Sequence, residues 1–158
     1  MGEEKGRALV RREWYQKLIE EYNQRYGTYL RITKRMIDRM VECKFKREDV
    51  ESVLYMMERY NKPIYWIIQW RLKYGYTFEE IDSILEAAEY LKCQIYTVRR
   101  ILDVCDRDLY NFYKLIDYII TNRFDSERQI LKFIRYLEIN FANIEEFFMW
   151  LDYEEQIG

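Results

Sequence analysis

Histidine is absent from the 158 residues of this chain, proline occurs once and glycine five times. Without histidine the chain cannot form a Ser–His or Cys–His nucleophile pair, nor a zinc site that contains histidine. It also lacks a Cys-x-x-Cys pair and a glycine-rich phosphate loop, because its cysteines and glycines are isolated from one another. We therefore expect a non-catalytic protein without a cofactor or a metal ion.

The scarcity of proline and glycine also bears on the fold, because these residues mark turns and hairpins. In addition, no segment shows a sustained two-residue alternation of apolar and polar residues. We predict an all-α protein, a compact bundle of seven or eight helices built from tandem helical hairpins. One domain would cover residues 1–158, with 1–6 as a flexible tail, 7–47 as a basic helical pair, 48–137 as hairpin repeats and 138–158 as an acidic C-terminal helix.

Long apolar runs and paired cysteines are missing as well. No run approaches eighteen apolar residues, and the N-terminal residues lack the apolar core of a secretion signal. The three cysteines, Cys43, Cys93 and Cys105, are odd in number and widely spaced, which indicates free thiols in a reducing compartment. We expect a cytoplasmic protein, or a nuclear one if the host has a nucleus, with no membrane contact.

Charged residues are abundant, but their two signs are unevenly distributed. Residues 1–47 hold 13 Lys and Arg against 7 Asp and Glu, whereas residues 138–158 hold six acidic residues and no basic one. The net charge of the whole chain is nevertheless only −2. The basic segment suits nucleic acid, or it pairs with the acidic segment, and the sequence leaves both interpretations open.

Two helices are predicted in the basic N-terminal part. The first covers residues 8–26 and ends at Gly27 as a left-handed cap, and the second begins after Thr33 as its N-cap. The segment "RITKRMIDRMVECKFKR" around the second helix has seven basic residues against two acidic ones. The apolar stripe predicted for the first helix is Val10, Trp14, Leu18 and Tyr22.

An internal repeat with a period of 31 residues follows. "EDVESVL" (48–54) matches "EEIDSIL" (79–85), and "IYWI" (64–67) matches "IYTV" (95–98) at the same offset. Each copy predicts a helix, a short turn and a second helix; a fainter third copy begins near residue 106. The repeat is either a stack of structural hairpins or a duplicated helix-turn-helix. The predicted caps are Thr77 with Glu80 as a capping box, Asp125, and Asn143 with Glu146.

Residues 81–103 contain a more specific pattern at the junction of two predicted helices. The small residue Ala88 is followed by the turn position Lys92 and then by the apolar residues Val98 and Ile101. This spacing, "AEY......TV.R" in the chain, resembles the helix-turn-helix segment of bacterial repressors, which favours glycine at the turn. The resemblance implies that the second helix contacts the major groove or flanking phosphates. The side chains so implied are Gln94, Tyr96, Thr97, Arg99 and Arg100.

The stretch "NKPIYWIIQWRLKYGYTFEEI" (residues 61–81) is similar to the C-terminal helical module of DnaD-type replication proteins. It contains a tyrosine and tryptophans, a short turn, and an acidic helix that begins at Thr77. The spacing from tryptophan to turn departs from the family's pattern, and the likeness covers these residues only. It implies the same functional class, a protein that takes part in DNA transactions.

The first hypothesis is a DNA-binding protein, a regulator or replication accessory of bacterial or phage type. Arg99 and Arg100 would contact the groove, and the basic segment around the second helix would neutralise phosphates. The residues predicted to contact phosphates are Lys34, Arg35, Arg39, Lys46 and Arg47.

The alternative is a protein-interaction module, such as a phage or mobile-element inhibitor of a host protein. The acidic C-terminal segment would be a docking face, and the sixteen tyrosines suit a surface that contacts partners. Codon bias in an AT-rich genome explains the tyrosines equally well, and a homodimer is also compatible with the sequence. The predicted anchors are Tyr65, Trp66, Trp70, Tyr74 and Tyr76.

Overall fold

The computed structural model describes the backbone of residues 2–62 and 64–157, and the side chains among them except those of 2–5, 7–9, 64 and 65. Within these residues every regular element is an α-helix, which confirms the all-α prediction. The described residues form nine helices, where seven or eight were predicted. They are α1 (Gly2–Tyr26), α2 (Lys34–Glu42), α3 (Arg47–Tyr60), α4 (Ile64–Tyr74), α5 (Phe78–Leu91), α6 (Ile95–Val104), α7 (Leu109–Thr121), α8 (Glu127–Asn140) and α9 (Ile144–Ile157).

The turns between the helices show how a chain with so little glycine ends its helices so often. Glycine takes the left-handed backbone conformation at Gly27, which ends α1 as predicted, and at Gly75. Elsewhere residues with a Cβ atom adopt it, at a cost of about 1 kcal/mol each. These residues are Lys44, Asn61, Lys92, Asp106, Arg107 and Arg123.

The 31-residue repeat is present in the backbone, and its third copy keeps the period except that α8 begins one residue late, at Glu127. Helices α3, α5 and α7 begin at residues 47, 78 and 109, and α4 and α6 begin at 64 and 95. The left-handed positions recur at the same interval, at 44, 75 and 106 and again at 61, 92 and 123. The tandem hairpins therefore share one turn geometry, although the side chains at these positions differ.

Most helix starts agree with the predicted caps. The Thr33 hydroxyl accepts from the Met36 N–H at 3.3 Å, and Thr77 and Glu80 form the capping box. One cap was predicted wrongly: Ser126, not Asp125, is the N-cap of α8 and accepts from the Gln129 N–H. Asp125 lies one residue too early, where its own N–H donates to the Gln129 side chain.

The first compact unit covers residues 1–81 and carries a net charge of +4, from 17 basic and 13 acidic residues. Helix α1 packs on α2 and α3, and α4 packs on α2 and α3. Helix α1 begins at Gly2 rather than at residue 8, and no proline lies in residues 2–7 to interrupt it. Its predicted stripe is partly wrong, since Val10 and Trp14 are exposed. The buried face is Tyr15, Leu18, Ile19 and Tyr22.

The second unit covers residues 82–158 and carries a net charge of −6, from 9 basic and 15 acidic residues. The boundary falls within α5, after Ile81. Helix α6 packs on α7 and α8, and an aromatic cluster joins α7, α8 and α9. In this cluster the Tyr118 ring lies 5.4 Å from that of Phe133 and 5.3 Å from that of Phe147. Among the described residues no helix is long and apolar enough to span a membrane.

Candidate functional site

The segment that resembles a helix-turn-helix has the local form that its spacing predicts. Helix α5 ends at Leu91, Lys92 adopts the left-handed conformation with φ of 55°, and α6 begins at Ile95. Ala88 is buried beside the turn, and Val98 and Ile101 are fully buried on the inner side of α6. The predicted core positions of this segment are therefore correct.

The outer side of α6 differs from the prediction at Thr97. Gln94 and Tyr96 are exposed, but Thr97 is only 1% exposed, so the expectation that it projects outward is wrong. The cause is α8, which packs on α6 and brings the Glu127 carboxylate to this point. Glu127 accepts hydrogen bonds from the Thr97 hydroxyl and, at 3.2 Å, from the Gln94 N–H.

The two arginines of α6 are half-buried and contact neighbours within their own unit. Arg100 pairs with Glu138 at 3.1 Å, and the Arg99 guanidinium lies 5.8 Å from the centre of the Tyr96 ring. Phosphate binding by Arg100 would have to displace Glu138 within a unit of net charge −6. Helix α6 is thus a poor phosphate surface, even though its residue types suit DNA reading.

The basic α2 keeps part of its predicted surface. Lys34 and Arg35 are exposed, as expected, whereas Arg39 is half-buried and pairs with Glu42 at 3.1 Å. A second pair joins α2 to α1, because Asp38 lies 2.6 Å from the Arg12 guanidinium. The Arg39–Glu42 pair reduces the positive charge that α2 presents, whereas the Arg12 pair neutralises a carboxylate of α2.

A stronger positive site lies where the α2–α3 turn meets α1. There the side chains enclose a cleft of about 370 Å³. We call it the basic cleft. Its cations are Arg11, Lys44, Lys46 and Arg47, and its other lining residues are Trp14, Tyr15, Phe45 and Glu48. Two of its cations, Lys46 and Arg47, belong to the predicted set of phosphate contacts, so the structure brings part of that set together.

Local geometry explains why the cations of the turn point outward. Phe45 is buried, and its carbonyl accepts a hydrogen bond from the Tyr15 hydroxyl at 2.7 Å. The flanking residues Lys44 and Lys46 are exposed, and Asp49 accepts from the Lys46 N–H at 2.9 Å. The buried aromatic residue therefore fixes the turn, and the lysines on either side of it face solvent.

Three of the exposed members of the basic cleft, Arg11, Trp14 and Lys44, were not among the predicted site residues. Trp14 was assigned to a buried stripe, but it is 39% exposed because the buried stripe of α1 runs through Tyr15. No local spacing links α1 to the α2–α3 turn, so no motif could have predicted their meeting. An available signal was the density of basic residues on both segments.

Two of the five aromatic anchors predicted for the alternative function are internal. Trp70 and Tyr76 are buried, so their prediction as exposed anchors is wrong. They belong to an aromatic cluster in which the Trp66 ring lies 4.3 Å from that of Trp70 and the Trp70 ring lies 5.7 Å from that of Tyr76. Trp66 is half-buried and Tyr74 partly exposed, while the side chain of Tyr65 lies outside the described residues.

The thiols of the chain do not have the low pKa of a reactive cysteine. Burial, reinforced by the nearby Asp108 charge, raises the pKa of Cys105 to about 12. Burial likewise raises the pKa of Cys43 and of Cys93. A thiol with a raised pKa is protonated at neutral pH and is a weak nucleophile. Among the described side chains, no three of Cys, Asp and Glu are grouped so that they could hold a metal ion.

Comparison with known proteins gives no further lead. No protein-family model matches the chain, and no curated protein and no solved structure is significantly similar to it. The resemblances of residues 81–103 and 61–81 to DNA-binding families therefore stay predictions.

Proposed function

We propose that this chain is a non-catalytic DNA-binding protein that holds the phosphate backbone in the basic cleft of its N-terminal unit. The observation that carries the proposal is the convergence of Arg11, Lys44, Lys46 and Arg47 on one cleft. All four side chains are exposed, so phosphate groups can reach them without any rearrangement of the core.

Charge supports this location over α6. The cleft has four cations and a single lining carboxylate, that of Glu48. Arg47 also pairs with Glu21 at 3.4 Å, but both groups are about half exposed, and such surface pairs contribute little. A phosphate can replace the Glu21 carboxylate at small cost. Release of counterions from the DNA would then supply the affinity.

The exposed Trp14 favours single-stranded DNA as the bound form. Proteins that bind single strands combine a positive groove with aromatic side chains on which bases stack. Trp14 lines the same cleft as the four cations, and its ring is held edge-on to Tyr15 at 5.1 Å. A base that stacks on Trp14 would place its own phosphates near the cations.

The test is fluorescence anisotropy with a mixed-sequence strand of about 30 nucleotides and the corresponding duplex, at about 50 and 200 mM salt. We expect micromolar binding that weakens steeply with salt. The variant Lys44→Gln/Lys46→Gln should bind at least about fivefold more weakly, and its plot of log affinity against log salt should be shallower by about one to two units. Trp14→Ala should lower affinity for the single strand more than for the duplex.

The matched control is Lys132→Gln/Arg135→Gln, which removes the same charge from exposed positions of α8. It should leave the affinity nearly unchanged. Equal losses in the two double variants would show that only net charge matters, and absence of binding at about 50 mM salt would refute the proposal. If Arg99→Ala/Arg100→Ala lowered the DNA affinity and the variants of the basic cleft did not, the DNA site would lie on α6 instead.

A further inference from the structure

The outer face of α9 exposes large apolar side chains. Met149 is 70% exposed, Trp150 42%, Tyr153 60% and Ile157 64%. Their spacing places them along one side of the helix, opposite the buried Ile144, Phe147 and Phe148. We call the four exposed residues the α9 face.

Two positions of this face, counted from the helix N-cap, correspond to positions that are buried or half-buried in α3, α5 and α7. The N-caps of α3, α5, α7 and α9 are Lys46, Thr77, Asp108 and Asn143. The seventh residue after each cap is Val53, Ile84, Leu115 and Trp150, of which the first three are fully buried. The tenth is Met56, Ala87, Tyr118 and Tyr153, of which the first two are buried and Tyr118 is half-buried.

Tyr118 shows what covers such a position. Its ring packs on Phe133 of α8 and Phe147 of α9, the two helices that follow α7 in the chain. The exposed Trp150 and Tyr153 present apolar surface of the same kind, and an exposed apolar patch of this kind marks an interaction site.

Contacts within its own unit already hold the Trp150 side chain in place. Its ring lies 6.1 Å from that of Phe141 and 6.2 Å from that of the buried Phe147. A tryptophan held on one side and open on the other loses little conformational entropy when a partner covers it. Residues of this kind dominate the energy of many protein interfaces.

Charge selects the class of partner. Residues 138–158 contain six acidic residues and no basic one. Phe141 and Phe147 also line a cleft of about 400 Å³ whose carboxylates are Asp103, Asp106 and Glu138, against one cation, Arg100, which pairs with Glu138. The α9 face is therefore bordered by negative charge on its own helix and next to a negative cleft. In a symmetric dimer this face would meet a second negative copy of itself, which disfavours self-association.

We propose that the α9 face docks an amphipathic α-helix of a partner protein, with an apolar stripe on Trp150 and Tyr153 and with flanking Lys or Arg side chains directed to the carboxylates. This inference is independent of DNA binding, because the basic cleft and the α9 face lie in different units.

The test uses two helical peptides of about 18 residues with the same leucine stripe, one flanked by lysines and one by glutamates. Binding to the full chain is measured by anisotropy of the labelled peptide. We expect micromolar binding of the lysine peptide and at least tenfold weaker binding of the glutamate peptide. Trp150→Ala should weaken the binding of the lysine peptide about tenfold or more.

Because Trp150 also packs inside the unit, Met149→Ser/Tyr153→Ser is a second variant, and circular dichroism checks that both fold. The control is Tyr90→Ser/Tyr110→Ser, two tyrosines that are 69% and 76% exposed on α5 and α7. Equal binding by all variants, or no binding of the lysine peptide, would overturn the proposal. A concentration-dependent dimer that Trp150→Ala dissociates would also overturn it, in favour of a second copy.

Discussion

At the scale of the residue, Thr97 shows why the direction of a side chain on a helix is hard to derive from sequence. Threonine is compatible with a surface or an interior, and the spacing of α6 alone allows both. The direction of the Thr97 side chain is decided by the Glu127 carboxylate, which lies 30 residues later in the chain and accepts a hydrogen bond from the Thr97 hydroxyl. The Arg100 guanidinium likewise donates to Glu138, which lies 38 residues later in the chain. Long-range polar partners of this kind leave no local pattern.

Thr97→Val removes the hydroxyl but keeps the shape of the side chain. We expect the free energy of unfolding to fall by about 1 kcal/mol, because the Glu127 carboxylate loses a partner inside the unit. Urea denaturation measures this change, with Thr121→Val at an exposed position of α7 as the control. DNA affinity should stay unchanged in both variants. A stable Thr97→Val protein that loses DNA binding would mean that α6 contacts DNA directly.

At the scale of the element, helix starts were easier to predict than helix ends. The starts after Thr33, Thr77 and Asn143 have side-chain caps, whose signature lies within four residues of sequence. The end of α1 at Gly27 and the turn at Lys92 were predicted, but other ends were not visible because lysine, aspartate and arginine take the left-handed conformation that glycine usually takes. Their recurrence every 31 residues indicates that packing of the hairpins, rather than residue preference, imposes these turns.

Two turn positions test this reasoning in opposite directions. Lys92→Gly should raise the free energy of unfolding by up to about 1 kcal/mol, because glycine has no Cβ strain at φ of 55°. Gly75→Ala should lower it by about 1 kcal/mol; a Cβ atom there would meet no neighbour within 4 Å, so the loss is conformational alone.

Chemical denaturation measures both changes, and Lys92→Ala separates the loss of the lysine side chain from the change in backbone. If Lys92→Gly is no more stable than Lys92→Ala, the left-handed conformation at this turn is not a source of strain.

At the scale of the whole molecule, the fold class was predictable and the candidate site only in part. Composition and periodicity determine that the chain is helical, since they reflect local preferences summed over many residues. The basic cleft instead depends on how α1 meets the α2–α3 turn. Lys46 and Arg47 were predicted from the charge of one segment, while Arg11 and Trp14 belong to another segment and required the packed structure. The segregation of charge between the units, +4 and −6, was visible in outline from the two ends of the sequence.

The response of the molecule to alkaline pH follows from its buried tyrosines and thiols. Burial, with a further contribution from Glu58, raises the pKa of Tyr22 to about 12, and burial raises the pKa of Cys105 to about 12. The ordinary values are 10.0 and 9.0, so above these the unfolded chain releases protons that the folded chain keeps. The free energy of unfolding is therefore unaffected by these groups below about pH 9 and falls as pH rises toward about 12, by about 1 kcal/mol per pH unit for each group.

We expect Tyr22→Phe/Cys105→Ala to flatten this decline, because neither replacement side chain ionises. Urea denaturation at intervals from about pH 8 to 11 measures the slope, and the exposed Tyr110→Phe is the control, which should keep the wild-type slope. The double variant should start from a lower stability at neutral pH, since it loses the contacts of a buried thiol and of the hydroxyl that donates to Glu58 at 3.3 Å. The curves of the variant and the wild type should therefore converge as the pH rises. Parallel curves would show that the two groups titrate equally in the folded and unfolded chain.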